Sequence, residues 1–86
     1  MADYIALIYK DADSDFGVSF PDFPGCITAG STLEEARRMA EEALRGHIRL
    51  MVEDGDAIPA PSTFDQVMTD AENRDGAAMA VAVDLV

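Results

Sequence analysis

Residues 4–9 read Tyr-Ile-Ala-Leu-Ile-Tyr, six apolar or aromatic side chains in a row without polar alternation. Successive side chains of a strand point to opposite faces, so such a run predicts a strand covered on both sides. In a chain of 86 residues, long enough for one domain only, this places residues 4–9 at the centre of a sheet. Almost half the chain is hydrophobic, enough for a small core, so disorder is not expected.

The rest of the chain supplies what such a strand needs. Asp11-Ala12-Asp13-Ser14-Asp15 reads as a polar turn, and Phe16, Val18 and Phe20 alternate with Gly17 and Ser19, which predicts a hairpin. Pro24-Gly25 suits the centre of a type II turn before a short third strand, Cys26 to Ala29, ended by Gly30. Ser31 followed by Glu34 reads as a capping box opening a helix. At about 100° per residue, Leu33, Ala36, Ala40, Ala43, Leu44, His47 and Met51 share one arc. Glu34, Arg38, Glu41, Glu42, Arg45 and Arg49 take the other, with Glu34–Arg38 and Glu41–Arg45 spaced as helical ion pairs. Gly55 reads as the helix stop, and Gly46 as a place where another element comes close.

Ile58-Pro59-Ala60-Pro61 is an extended linker, after which Ser62 is expected to cap a turn or two of helix through Phe64, Val67 and Met68. Residues 70–76 read as a loop, and Ala78 to Val86 alternate as a final strand. The order is β-β-β-α-β with a short extra helix. It predicts an α+β domain of two layers, one long helix packed on one face of the sheet and the fourth strand beside the first. One helix covers one face; the face left bare predicts self-association, as a dimer or tetramer.

The chain carries seventeen acids against six Lys and Arg, a formal charge of −11. Phosphate contacts need clustered basic residues, so no nucleic-acid binding is expected of this chain alone. The charge is uneven. Residues 31–53 hold five acids and four bases, whereas residues 54–86 hold seven acids and one base, and residues 1–30 five acids and one base. Such a charge is compatible with a basic partner but also with solubility alone. A basic partner, if there is one, is expected near the hairpin loops and the C-terminal third, with Asp65, Asp70 and Asp75 as the residues facing it.

Little here serves catalysis. Cys26, the single cysteine, rules out an intrachain disulfide; it fits a reducing cytoplasm and reads as packing rather than a nucleophile. His47 lies on the helix's apolar arc and reads as a core histidine. Asp11, Asp13 and Asp15 resemble half a calcium loop, but Phe16 stands where glycine is required, so a solvated turn is the better reading. Met39, Met51, Met68 and Met79 read as core filler. No cofactor or metal is expected, nor is a signal peptide or membrane span evident.

Two segments resemble the HicB antitoxin family. Phe20-Pro21-Asp22-Phe23-Pro24-Gly25-Cys26 leads through a short strand into Thr32-Leu33-Glu34-Glu35-Ala36, matching F-P-D-x-P-G-C followed by T-x-E-E-A. Gly55 through Ile58-Pro59-Ala60-Pro61-Ser62 matches G-x-x-I-P-x-P-S. The resemblance covers most of residues 4–64, and the final strand also fits. It implies a degraded ribonuclease-H-like fold and a non-enzymatic role as the antitoxin of a type II toxin–antitoxin system. The partner would be HicA, a small basic toxin that cleaves mRNA, and residues 1–86 would form the toxin-binding domain. Family members usually continue into a ribbon-helix-helix or helix-turn-helix domain that binds operator DNA. None lies in these 86 residues, and the apolar end at Asp84-Leu85-Val86 suggests that the natural protein continues. Operator binding is expected only if it does. Two alternatives are a stand-alone oligomer with another partner and a metal-dependent nuclease. The nuclease needs converging carboxylates, and Asp3 and Asp11 at the ends of the first strand are poor substitutes.

Overall fold

The computed structural model describes residues 2–10 and 15–84. Strand β1, Ala2–Lys10, runs between β2, Phe16–Ser19, and β4, Ala77–Val83, while β3, Ile27–Gly30, pairs with β2. The order is β3-β2-β1-β4 and every pairing is antiparallel. Residues 4–9 thus occupy an interior strand, as their unbroken apolar run requires. The α+β, two-layer architecture is the expected one, with a single long helix, α1, Leu33–Glu53, on one face.

Register decides which side chains meet that helix. Ile8 opposes Val18 and Ala77, and Tyr4 opposes Val81, so the even-numbered residues of β1 share the α1 face. There Tyr4, Ala6, Val18, Phe20, Val81 and Val83 pack with Ala36, Ala40, Leu44 and Ile48 in one buried cluster. Small residues on α1 let the helix lie close. At Gly30 an added Cβ would come within 2.7 Å of Ala36 Cα, nearer than real atoms approach, so only glycine fits there.

The helix ends show how local signals resolve. Thr32, not Ser31, is the N-cap: its Oγ1 accepts from the Glu35 amide at 3.0 Å, while Glu35 Oε1 accepts from the Ser31 amide at 3.1 Å. Both residues have a glutamate three positions on, and the Thr32 frame places Ala36 against Gly30. At the far end Gly55, with φ +77°, closes the helix as expected. Gly25, with φ +88° and the Cys26 amide donating to Phe23 O at 3.0 Å, fits the type II turn.

Several expectations need correction. Gly46 has open space where a Cβ would stand, so no element approaches it. Leu33 is 49% exposed, and Ile48 is buried in the core instead. Ser62 does not cap the short helix α2, Phe64–Met68. Thr63 does, through a reciprocal box with Gln66. Residues 71–75 form a 3-10 helix, capped by Asp70, rather than a loop. The expected polar turn at 11–15 and the last two residues of the expected final strand fall largely outside the described residues.

The second face of the sheet is less bare than one helix implies. Leu7 points away from α1, yet it is fully buried. Its lateral neighbours, Ser19 and Ala78, are too small to achieve that. The covering chain is the segment entering β4: a methyl on Gly76 would lie 2.9 Å from the Tyr9 ring and 3.2 Å from Leu7 Cβ. Beyond that patch Ile27, Ala29, Ala78, Ala80 and Ala82 remain exposed.

Candidate partner-binding surface

Residues 64–75 form a small lobe made of α2 and the 3-10 helix, joined through Thr69 and Asp70. Val67 is its one buried residue. The lobe is held together mainly by backbone acceptors. Asn73 Nδ2 donates to Val67 O at 2.8 Å, Arg74 Nε to Met68 O at 2.9 Å, and Thr69 Oγ1 to Asp65 O at 3.0 Å. Because these bonds use carbonyls, the carboxylates stay largely outside the network. Asp65, Asp70, Glu72 and Asp75 are all exposed. Asp70 caps the 3-10 helix, its Oδ1 accepting from the Glu72 amide at 3.0 Å. Arg74 is the lobe's single base, and its Nε is committed to Met68 O.

The structure therefore brings Asp65, Asp70 and Asp75 onto one short, acidic lobe. Like charges gathered on one exposed lobe attract basic surfaces over a Debye length of ~8–10 Å at ordinary salt.

A clasp fixes where the lobe begins. Asp22, in the turn after β2, accepts from both the amide and the hydroxyl of Ser62, at 2.9 and 2.6 Å. Beside it the Tyr4 hydroxyl donates to Pro59 O at 2.6 Å. Burial, then the nearby Asp22 carboxylate, push the Tyr4 phenol above its ordinary pKa, so it stays a donor well into alkaline solution. The Tyr4 ring stands edge-on to Phe23 at 4.8 Å, and Phe23 edge-on to His47 at 5.8 Å. Sequence reading missed Asp22 and Ser62 as partners. Both sit in recognisable motifs, but nothing local to either shows that they meet. The Thr63–Gln66 box was missed as well, in favour of Ser62, although its signal, T-x-x-Q, is local.

The residues weighed for chemistry lie apart from the lobe. Cys26 is buried, and burial raises its thiol pKa, which keeps the reactive thiolate scarce. His47 is half-buried against Phe23. Met51 and Met79 pack against the core. Asp3 is exposed on β1, and Asp11 lies outside the described residues. Among the described residues no three His, Cys, Asp or Glu side chains are grouped to hold a metal ion, and no helix is long and apolar enough to cross a membrane.

Comparison with known proteins agrees with this architecture. Residues 4–86 match the family described as the HicB-like antitoxin of bacterial toxin–antitoxin systems. A 14.9 kDa protein from the rep-hol intergenic region of Haemophilus phage HP1 is 43% identical over 76 residues, spanning 88% of this chain and 57% of the phage protein. The crystal structure of the Burkholderia pseudomallei antitoxin HicB superposes with a TM-score of 0.88 at 30% identity, over 99% of this chain and 65% of that one. A chain of the HicA3–HicB3 toxin–antitoxin complex gives 0.78 at 29% identity, covering 95% of this chain and 98% of its own. The chain thus spans less than two thirds of the length of the phage protein and of the Burkholderia antitoxin.

Proposed function

The chain belongs to the HicB-like antitoxin family, and from that premise we propose that it neutralises a HicA-type, mRNA-cleaving toxin by binding it through the acidic lobe. Asp65, Asp70 and Asp75 would face the toxin's basic surface. The observation that carries this reading is the lobe itself, four exposed acids beside one base whose Nε donates to a backbone carbonyl. An RNA-cleaving protein must present cations to phosphate, and an acidic surface of matched shape competes for them. Inhibition is by coverage, in the cytoplasm, without a chemical step of the chain's own. The raised thiol pKa of Cys26 and the aromatic setting of His47 support that assignment. At −11 the chain by itself is not an operator-binding protein; operator binding would need a further domain in the full-length protein.

The test is binding of a purified HicA-type toxin, made harmless by substitution of its catalytic histidine, followed by calorimetry at low and high salt. Wild-type chain should bind, with affinity falling as salt screens the pairing. Asp65→Lys combined with Asp75→Lys should weaken binding at least tenfold at low salt while leaving the fold intact. Unchanged affinity in that variant, together with indifference to salt, would remove the lobe from the interface. Absence of any toxin binding would sink the antitoxin role.

A further inference from the structure

Of the chain's four phenylalanines and two tyrosines, Phe64 alone is exposed, at 56%. It opens α2 directly before Asp65, on the lobe that also carries Asp70, Glu72 and Asp75. A helix sets residues four apart side by side, so Phe64 shares a face with the half-buried Met68. At 3.6 residues per turn that apolar strip runs between the buried Val67 and the exposed Asp65. The backbone leading into it is pinned. Asp22 holds the amide and hydroxyl of Ser62 at 2.9 and 2.6 Å, and Thr63 and Gln66 cap each other at 2.8 and 3.1 Å. The ring is thus carried at a set place on the surface. Leu50 and Val52 are as exposed, but they stand near Arg49 on the last turns of α1, where a basic partner meets like charge.

We propose that Phe64, with Met68 beside it, is the apolar anchor of the acidic lobe, and that it enters an apolar pocket on the toxin edged by lysine or arginine. The inference rests on the reading that the lobe binds such a toxin, and it names the residue that holds the complex together. Exposed acids draw a basic surface in from a distance, but each rim pair contributes little once formed, and salt screens it. Interfaces take most of their binding energy from a few side chains, aromatic ones foremost, seated in pockets and ringed by polar groups. Phe64 is the lobe's one aromatic residue, and Asp65 stands at its rim. The ring face also takes a guanidinium, which suits it to a partner rich in arginine. Because its backbone is fixed before contact, little freedom is lost on binding. The acids therefore set how fast the partners meet, and Phe64 sets how long they stay.

Association and dissociation rates with a purified HicA-type toxin, its catalytic histidine substituted, test this at low and high salt. Phe64→Ala should speed dissociation at least tenfold and change association by less than about twofold. The dissociation ratio to wild type should persist at high salt, because burial of an apolar ring is not screened. Asp65→Lys combined with Asp75→Lys should act on association instead, slowing it at low salt. Phe64→Leu, which keeps most of the apolar volume, should dissociate more slowly than Phe64→Ala. The urea midpoint of both Phe64 variants should match wild type, since the ring lies outside the core. Should Phe64→Ala shift that midpoint, hydrogen exchange decides: residues 64–68 of the wild-type chain should gain protection when toxin binds. Dissociation of Phe64→Ala at the wild-type rate overturns the anchor and leaves the antitoxin reading standing. A wild-type chain that binds no toxin removes both.

Discussion

On the α1 face of the sheet, Tyr4, Ala6, Val81 and Val83 meet Ala36, Ala40, Leu44 and Ile48 in one continuous core. On the opposite face Leu7 is covered only where the chain enters β4, and the lobe leading there buries Val67 alone. Among the described residues, the core on the first face is close-packed and buries no charged side chain. The second carries exposed alanines, and the lobe beside it carries the acids. A domain this small has one core to give it stability, and the exposed acids of the lobe, Asp65 and Asp75 among them, take no part in it. If the lobe binds a partner as proposed, stability and recognition lie in different parts of one chain, and substitutions should act on one without the other.

The largest effect should come from the packed face. Leu44→Ala removes a fully buried side chain from the middle of α1 and should cost about 2–5 kcal/mol in urea unfolding. A loss below ~1 kcal/mol would mean that the face is loosely packed and the contrast false. A smaller effect is expected at the boundary. Tyr4→Phe keeps the buried ring but removes the bond to Pro59 O, for a loss of about 1 kcal/mol at neutral pH. The same variant reports on pH. Because the folded phenol titrates above its ordinary value of 10.0, the unfolded chain releases its proton first. Stability from this group is thus complete below about pH 10 and declines as pH rises toward the folded value. Wild type should show that alkaline decline, and Tyr4→Phe should lack its share of it, as followed by denaturation from pH 8 to pH 11 (roughly the span on either side of a tyrosine pKa). The smallest effect belongs to the lobe. Asp65→Asn and Asp75→Asn should leave the urea midpoint where it was, since neither carboxylate has a structural task comparable to that of Asp22. A clear loss of stability in either would show that the acids hold the fold, and would blur the division.

Periodicity made the sheet legible. The apolar run at residues 4–9, the alternation at 16–20 and the helical arc from Ala36 to Met51 are local patterns, and each became the expected element. What was hidden depended on partners distant in sequence. Ser31 and Thr32 fit the same capping rule, and the close contact of Gly30 with Ala36 goes with the second. Ser62 looked like a cap because nothing near it reveals Asp22. Leu7 looked like half of a bare face because its cover comes from residue 76. For the surface, residue type was enough to mark Asp65, Asp70 and Asp75 as acids in an acidic third of the chain. Their gathering on one lobe depends on a 3-10 helix that a polar, turn-like sequence did not announce.

The pairing of β1 with β4 also sets a timetable. Residues 2–8 leave a ribosome well before their partners, 77–83. At ~5–20 residues per second, β1 waits several seconds with one side unmatched, and the hairpin and α1 can form around it meanwhile. The sheet closes only when β4 arrives, so its completion waits on the long stretch of chain between β1 and β4. Cutting the chain anywhere before β4 would leave the central strand as an edge.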